Sequence, residues 1–217
     1  MMFSQLYNDL CLASNPEKKV AMEKYMKNNF PFIGVQNPIR TAIQKPYLQA
    51  LKSEKNIDWK IVFELWNYKE REMHYVAMDY LIAKKKHLTA NDFDNILKLL
   101  TSHQWWDSID TITSHIIGYM FYQFPETKAI LKKWNATDDM WLKRTTIISQ
   151  LKGKEKTDTA FLTYAITSNL NSKEFFINKA IGWSLREYAK KNPEWVRQFI
   201  SNHTLASLSK KEASKYL

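Results

Sequence analysis

The stretch VFELWNYKEREMHYVAMDYLI, Val62 to Ile82, decides the fold class. Within it Met73, Val76, Ala77, Tyr80 and Leu81 recur at the i, i+3, i+4, i+7 spacing that lays apolar side chains along one face of a helix. A strand would need alternation with period two, which this stretch lacks. Helical spacing continues outward in both directions. On the N-terminal side Val20, Tyr25, Met26 and Phe30 follow Asn15-Pro16-Glu17, where Asn15 is an expected N-cap and Pro16 suits the first helical position. On the C-terminal side KEFFINKAIGWSLREYAKK, Lys173 to Lys191, is an expected helix capped by Ser172 or Asn171. It should close before Asn192-Pro193, because a proline disfavours helical backbone in the residue before it.

Composition points the same way. The 217 residues contain 4 Gly and 6 Pro, too few for the tight turns of a sheet protein. Short breaks at Asn37-Pro38, Lys55-Asn56, Phe124-Pro125 and Asn192-Pro193 leave about a dozen helices of roughly 10–18 residues. No low-complexity linker divides the chain, so one domain over residues 1–217 is expected. Trp66, Trp106, Trp141 and Trp183 are spaced 40, 35 and 42 residues apart. Periods near 40 belong to HEAT-like helix pairs. The expected architecture is all-α, an α-solenoid of HEAT-like antiparallel helix pairs whose concave face suits an extended polymer such as DNA.

Lys and Arg number 32 against 22 Asp and Glu, a net charge of +10. That excess attracts anions and makes nucleic acid the first partner to consider. Cys11 is the one cysteine, so an intramolecular disulfide is excluded and a cysteine-based zinc site is not expected. The N-terminal MMFSQLYNDLCLASN lacks the basic then apolar regions of a secretion signal, and no apolar run approaches about 18 residues. A cytoplasmic location is the simple expectation. His74, His87, His103, His115 and His203 show no HExxH or other metal-ligand spacing. GxGxxG, P-loop and GxSxG motifs are absent as well, so no metal, nucleotide cofactor or serine-hydrolase chemistry is expected.

Two segments carry chemistry-bearing residues at helical spacing. In SHQWWDSIDTI, residues 102 to 112, Trp106 and Asp110 stand four apart on one face, while Trp105 and Asp107 point elsewhere. Ile109, Ile112, Ile116 and Ile117 already supply a core stripe. The alternative is structural: both tryptophans pack, and both aspartates sit near the positive end of the helix. In KAIGWSLREYAKK, Lys179, Trp183 and Arg186 fall one turn apart in succession, and Gly182 leaves room for a ligand or for a closely packed helix. A third cluster, WLKRTTI, puts Lys143 and Arg144 in an otherwise apolar helix, where an arginine snorkels to solvent or meets a phosphate.

These segments, together with EKYMKNNFPFIGVQNPIR, LWNYKEREMHYVAMDYL, WLKRTTIISQLK and LASLSKKEASKYL, resemble the bacterial AlkD family of DNA alkylation repair enzymes. The resemblance runs from about residue 15 to the end and implies a curved stack of HEAT-like pairs with DNA on its concave face. It implies hydrolysis of the N-glycosidic bond of cationic lesions such as 7-methylguanine and 3-methyladenine in double-stranded DNA, with no metal or cofactor. The functional Trp and Asp of the WWDxxD segment fall on Trp106 and Asp110, the Trp of GWxLRE on Trp183, and the Arg of WLxR on Arg144. Arg186 and Tyr25 lie in matching segments and are expected DNA contacts, as is nearby Lys179. Where the family often has two adjacent arginines, this chain has Arg40 followed by Thr41, so one phosphate contact there is expected to be weaker. Relative to the family Leu217 comes slightly early, and a short basic tail is expected beyond it.

The implied chemistry suits these residue types. A cationic purine is already a good leaving group, which removes the general acid of ordinary glycoside hydrolysis. Asp110 would then stabilise the positive sugar and position water, between the aromatic faces of Trp106 and Trp183. Arg144, Arg186 and nearby lysines would hold flanking phosphates. The family leaves the lesion in the duplex, unlike most glycosylases, which flip the base into a pocket. A monomer is expected. Two other readings compete: a non-catalytic HEAT-like DNA-binding protein that recognises branched or distorted DNA, and a helical-repeat scaffold that binds protein.

Overall fold

Asn15 opens the first internal helix as its sequence predicts: its side chain accepts a 2.9 Å hydrogen bond from the Lys18 amide, and Pro16 follows at the first helical position. The computed structural model describes residues 2–52 and 54–217 and is helical throughout, with no strand among the described residues. By internal packing the helices gather into two compact units, Met1–Leu88 and Thr89–Leu217.

The first unit contains α1 (Met2–Leu12), α2 (Pro16–Tyr25), α3 (Asn37–Ala50), α4 (Trp59–Trp66) and α5 (Arg71–Lys84). The stripe Met73, Val76, Ala77, Tyr80 and Leu81 is buried on α5, as its period requires. Helix α2 behaves differently. Met26 just beyond it is buried, but Val20 and Tyr25 face solvent, and no residue within α2 is buried. Asn37-Pro38 starts α3 rather than breaking a helix.

Beside the α5 stripe lies a polar cluster that periodicity did not reveal. Glu72 is fully buried, and its carboxylate accepts from the amides of Ile33, Gly34 and Val35 at 2.9, 2.8 and 3.0 Å. Those three donors belong to the loop before α3 and have no helix to pair with, so the carboxylate replaces one. Gly34 adopts a φ of 99°, and a side chain there would meet the Asn15 carbonyl at 2.5 Å. The loop therefore passes close under the start of α2, where only glycine fits.

The second unit runs α6 (Phe93–Leu100), α7 (Trp106–Ile112), a π-helical turn (Thr113–Ile117), α8 (Gly118–Gln123), α9 (Thr127–Asn135), α10 (Met140–Ile148), α11 (Thr159–Thr167), α12 (Phe175–Ala189), α13 (Pro193–Asn202) and α14 (Ser207–Ala213). Its packing is that of stacked pairs. Helices α7, α10, α12 and α14 each touch the next in that order, while α6, α9 and α13 pack behind α7, α10 and α12. Each pair covers an apolar stripe that neither helix could bury alone. The tryptophan spacing reflects this pairing only loosely. Trp106 is the first residue of α7, Trp141 the second of α10 and Trp183 the ninth of α12, so they are not equivalent positions.

Helix α12 begins at Phe175, two residues later than a cap at Ser172 implies. The Ser172 hydroxyl instead accepts from the Glu174 amide at 3.2 Å, holding the turn that leads in. Asn192 does close the segment, and its side chain caps α13 through a 3.0 Å bond from the Trp195 amide.

Candidate active site

Trp106 and Asp110 share one face of α7, four residues apart, as a helix over this segment requires. Asp139 fixes where that helix starts. One of its oxygens caps α10, accepting from the Trp141 and Leu142 amides at 2.7 and 3.2 Å, and the other accepts from the Gln104 side chain at 2.7 Å. The first turns of α7 and α10 are thereby locked together.

Across this junction Arg144 of α10 meets Asp110. Its Nε and Nη2 donate to the two carboxylate oxygens, each at 2.8 Å, and its Nη1 donates to the Phe176 carbonyl at 2.6 Å. One side chain thus connects α7, α10 and α12. The Arg144 side chain is 4% exposed and that of Asp110 is 17% exposed, so the guanidinium lies inside and the carboxylate nearer to solvent. Arg144 does not snorkel to solvent. All three guanidinium nitrogens are engaged within the protein, two by Asp110 and one by the Phe176 carbonyl.

Burial pushes the Asp110 carboxyl above the ordinary aspartate value, because a charge in a low-dielectric site loses hydration. Hydrogen bonds and charge from Arg144 pull it down, and the neighbouring charge of Asp107 pushes it up again. The balance remains upward. Asp107, on the first turn of α7, is itself buried.

Trp183 lies part-buried on α12, one turn after Lys179 and just before Arg186. A Cβ at Gly182 would come within 2.6 Å of the Glu212 Cβ and 2.9 Å of the Ser209 carbonyl, so this glycine admits helix α14 rather than a ligand. That close approach delivers Glu212 to three cations. Its carboxylate accepts from Lys179 at 2.9 Å, from Lys215 at 3.0 Å and from Arg186. Hydrogen bonds from Lys179 and Lys215 hold the Glu212 carboxyl down at about 2. Lys179 and Arg186 therefore stand fixed around a buried anion beside Trp183, an arrangement with more positive than negative charge.

Trp105 turns inward, edge-on to Trp141 and Phe176 with ring centroids 5.8 and 5.5 Å away, and braces the start of α7. The remaining expected DNA contacts lie in the first unit. Tyr25 ends α2 with 67% of its surface exposed. Arg40 is buried on α3 and donates to Asp79, Gln44 and Asn37 at 2.7, 2.8 and 2.7 Å, so its guanidinium also faces inward.

Sequence reasoning missed Asp139, Gln104 and Glu212. An Asp just before the apolar run of α10 is a standard N-cap signal, and that signal could have found Asp139. Glu212 sits in KKEASK, which reads as a solvated charged turn until α14 docks on Gly182. Among the described residues no group of three or more His, Cys, Asp or Glu could hold a metal, and no helix is long and apolar enough to cross a membrane.

No curated protein sequence matches the chain. A solved structure described as a predicted DNA alkylation repair enzyme from Enterococcus faecalis superposes with a TM-score of 0.88 at 32% identity, covering 94% of this chain and 96% of that one. The family model for DNA alkylation repair enzymes matches residues 6–217, and the chain belongs to that family.

Proposed function

We propose that the chain is an AlkD-type DNA glycosylase, a monomer that hydrolyses the N-glycosidic bond of cationic alkylated purines of the 7-methylguanine and 3-methyladenine type in duplex DNA. The observation that carries this reading is the carboxylate of Asp110, held from behind by the buried guanidinium of Arg144 and one helical turn from Trp106.

A carboxylate has about four lone-pair sites, and the Arg144 fork uses one on each oxygen. Each oxygen keeps a free lone pair for a water or for positive charge on the sugar. Because Arg144 lies on the inner side, the pair presents a dipole with its negative end toward solvent. A dipole fixed before the reaction stabilises developing positive charge without reorganising. The lesion needs no proton to leave, so a single carboxylate suffices where ordinary glycosidases use two. Trp106 and Trp183 add electron-rich faces worth about 0.5–2 kcal/mol each against a cation. Lys179 and Arg186, arrayed around Glu212, would meet the backbone near Trp183.

The resemblance to the AlkD family supports action on a base left in the duplex. The experiment is single-turnover base release from duplex DNA containing 7-methylguanine, comparing the wild type with Asp110→Asn. Loss of about 100-fold or more is expected, the scale of removing one preorganised electrostatic group. Near-normal release by the variant would refute the assignment of Asp110.

A further inference from the structure

The three residues that lead into α7 are held in an arrangement that their own backbone does not favour. His103 adopts a φ of 49°, left-handed backbone in which a Cβ crowds the next carbonyl. Trp105 then turns to extended backbone, φ −160° and ψ 162°, and Trp106 begins the helix. The Trp105 indole Nε1 is buried and, among the described residues, is the one buried side-chain polar atom without a hydrogen-bond partner. The rings of Trp141 and Phe176 stand edge-on to that indole and offer at most a weak N–H···π contact. A left-handed residue and an unmet donor side by side persist only where their surroundings over-determine them.

Gln104, between the two, supplies the constraint. Its Nε2 donates to the Leu100 carbonyl at the end of α6, at 2.9 Å, and to Asp139 at 2.7 Å. Both hydrogens of that amide are therefore used. Turning the amide over would set its oxygen against a carbonyl and a carboxylate, so it has one orientation. Asp139 is fixed in turn by α10, because its other oxygen accepts from the Trp141 and Leu142 amides. The Trp105 carbonyl then accepts from the Ser108 hydroxyl and the Ile109 amide, each at 3.1 Å, which carries the constraint into the first turn of α7.

The two side chains on that face of α7 thus have separate supports. Asp110 is held directly by Arg144, and Trp106 is held through the backbone that Gln104 and Asp139 fix.

We propose that Gln104 and Asp139 form a latch that sets the position of the Trp106 indole at the candidate site before DNA arrives. They are positioning residues and act through Trp106. The inference rests on the reading of the chain as a glycosylase with Trp106 at its reacting centre. The competing role is purely structural, a tie from α6 to α10 that only stabilises the fold.

Two variants open the latch. Gln104→Leu removes the donor at similar size. Asp139→Asn keeps the α10 cap through its remaining oxygen but sets an NH2 against that of Gln104. Single-turnover base release from duplex DNA containing 7-methylguanine is measured at saturating enzyme and corrected for folded fraction. The proteins compared are the wild type, both latch variants, Trp106→Ala, and Gln104→Leu with Trp106→Ala. Each latch variant should slow release about 3- to 10-fold, within what loss of one cation–aromatic contact allows, with DNA affinity within about twofold of the wild type. In the Trp106→Ala background Gln104→Leu should change the rate by less than about twofold, since no indole remains to be placed. Equal slowing in both backgrounds, or normal release by both latch variants, would overturn the proposal and leave the glycosylase reading intact.

A second readout needs no chemistry. In protein labelled with nitrogen-15, the indole N–H signals of Trp105 and Trp106, assigned by substitution, should shift or broaden in both latch variants, while that of Trp195 on α13 stays in place. A Trp106 signal that does not move would sink the latch. A wild type that releases no base would refute the glycosylase reading, and the indole signals would then decide the latch by themselves.

Discussion

Arg144 donates one 2.8 Å hydrogen bond to each carboxylate oxygen of Asp110, across 34 residues of sequence and from one stacked helix to the next. The pair is fork against fork, the geometry that only a planar guanidinium gives.

Replacing Arg144 by Lys keeps the charge and loses the fork. One charge-assisted hydrogen bond is worth about 1.5–3 kcal/mol, so base release by Arg144→Lys should fall about 10- to 100-fold. Arg144→Ala should cost about 3–5 kcal/mol of stability as well, because it leaves Asp110 buried without its partner. Single-turnover base release and urea denaturation separate the two effects. An Arg144→Lys enzyme with normal release would show that orientation of Asp110 is unimportant.

The pH dependence follows from the same pair. Asp110 acts as a carboxylate, and its value is raised by burial, so activity should fall on acidification with a midpoint above the ordinary aspartate value of 3.8. Asp107 contributes upward, and Asp107→Asn should move the acid limb to lower pH. Arg144 contributes downward, and Arg144→Gln should move the limb to higher pH. For stability the sign is the reverse of the usual aspartate case: the folded state binds this proton more tightly, so the Asp110 contribution weakens as pH rises through the raised value. Base-release profiles from pH 4 upward, corrected for folded fraction, test the opposite shifts of the two variants.

Gly182→Ala tests the closeness of α12 and α14. In an open helix the change would stabilise by about 1 kcal/mol. Here the added carbon meets Glu212 Cβ at 2.6 Å and Ser209 O at 2.9 Å, so the helices must part. A net loss of about 1–3 kcal/mol in chemical denaturation is expected, the scale of overpacking. A stabilised variant would mean that α14 does not seat there.

Glu72→Gln tests the buried loop clamp in the first unit. Oε1 of Glu72 accepts from Gly34 and Val35, and Oε2 accepts from Ile33. An amide can keep one of these sides but must set its NH2 against a backbone donor on the other, costing about 1–3 kcal/mol. Denaturation with unchanged helical content at low denaturant would show it. No loss of stability would mean the loop has other acceptors.

Some of this was legible in the residues and some was not. The five apolar positions of α5 are buried as their period demands, since a helix repeats every 3.6 residues wherever it packs. The cap Asn15 is local for the same reason: its side chain reaches an amide three residues away. Val20 and Tyr25 share a helix yet face solvent, because periodicity says which residues share a face and nothing about what covers it.

What the sequence determined by itself is therefore the helical class, the basic balance and the two positions on one face of α7 that set Trp106 beside Asp110. Tertiary structure decided what those positions mean. It turned Arg144 inward onto Asp110, seated α14 on Gly182 so that Glu212 gathers Lys179, Arg186 and Lys215, and buried Arg40 against Asp79. The physical reason is range. Backbone hydrogen bonding and helical period act over three or four residues, whereas the partner of a buried charge arrives from tens of residues away when two helices stack.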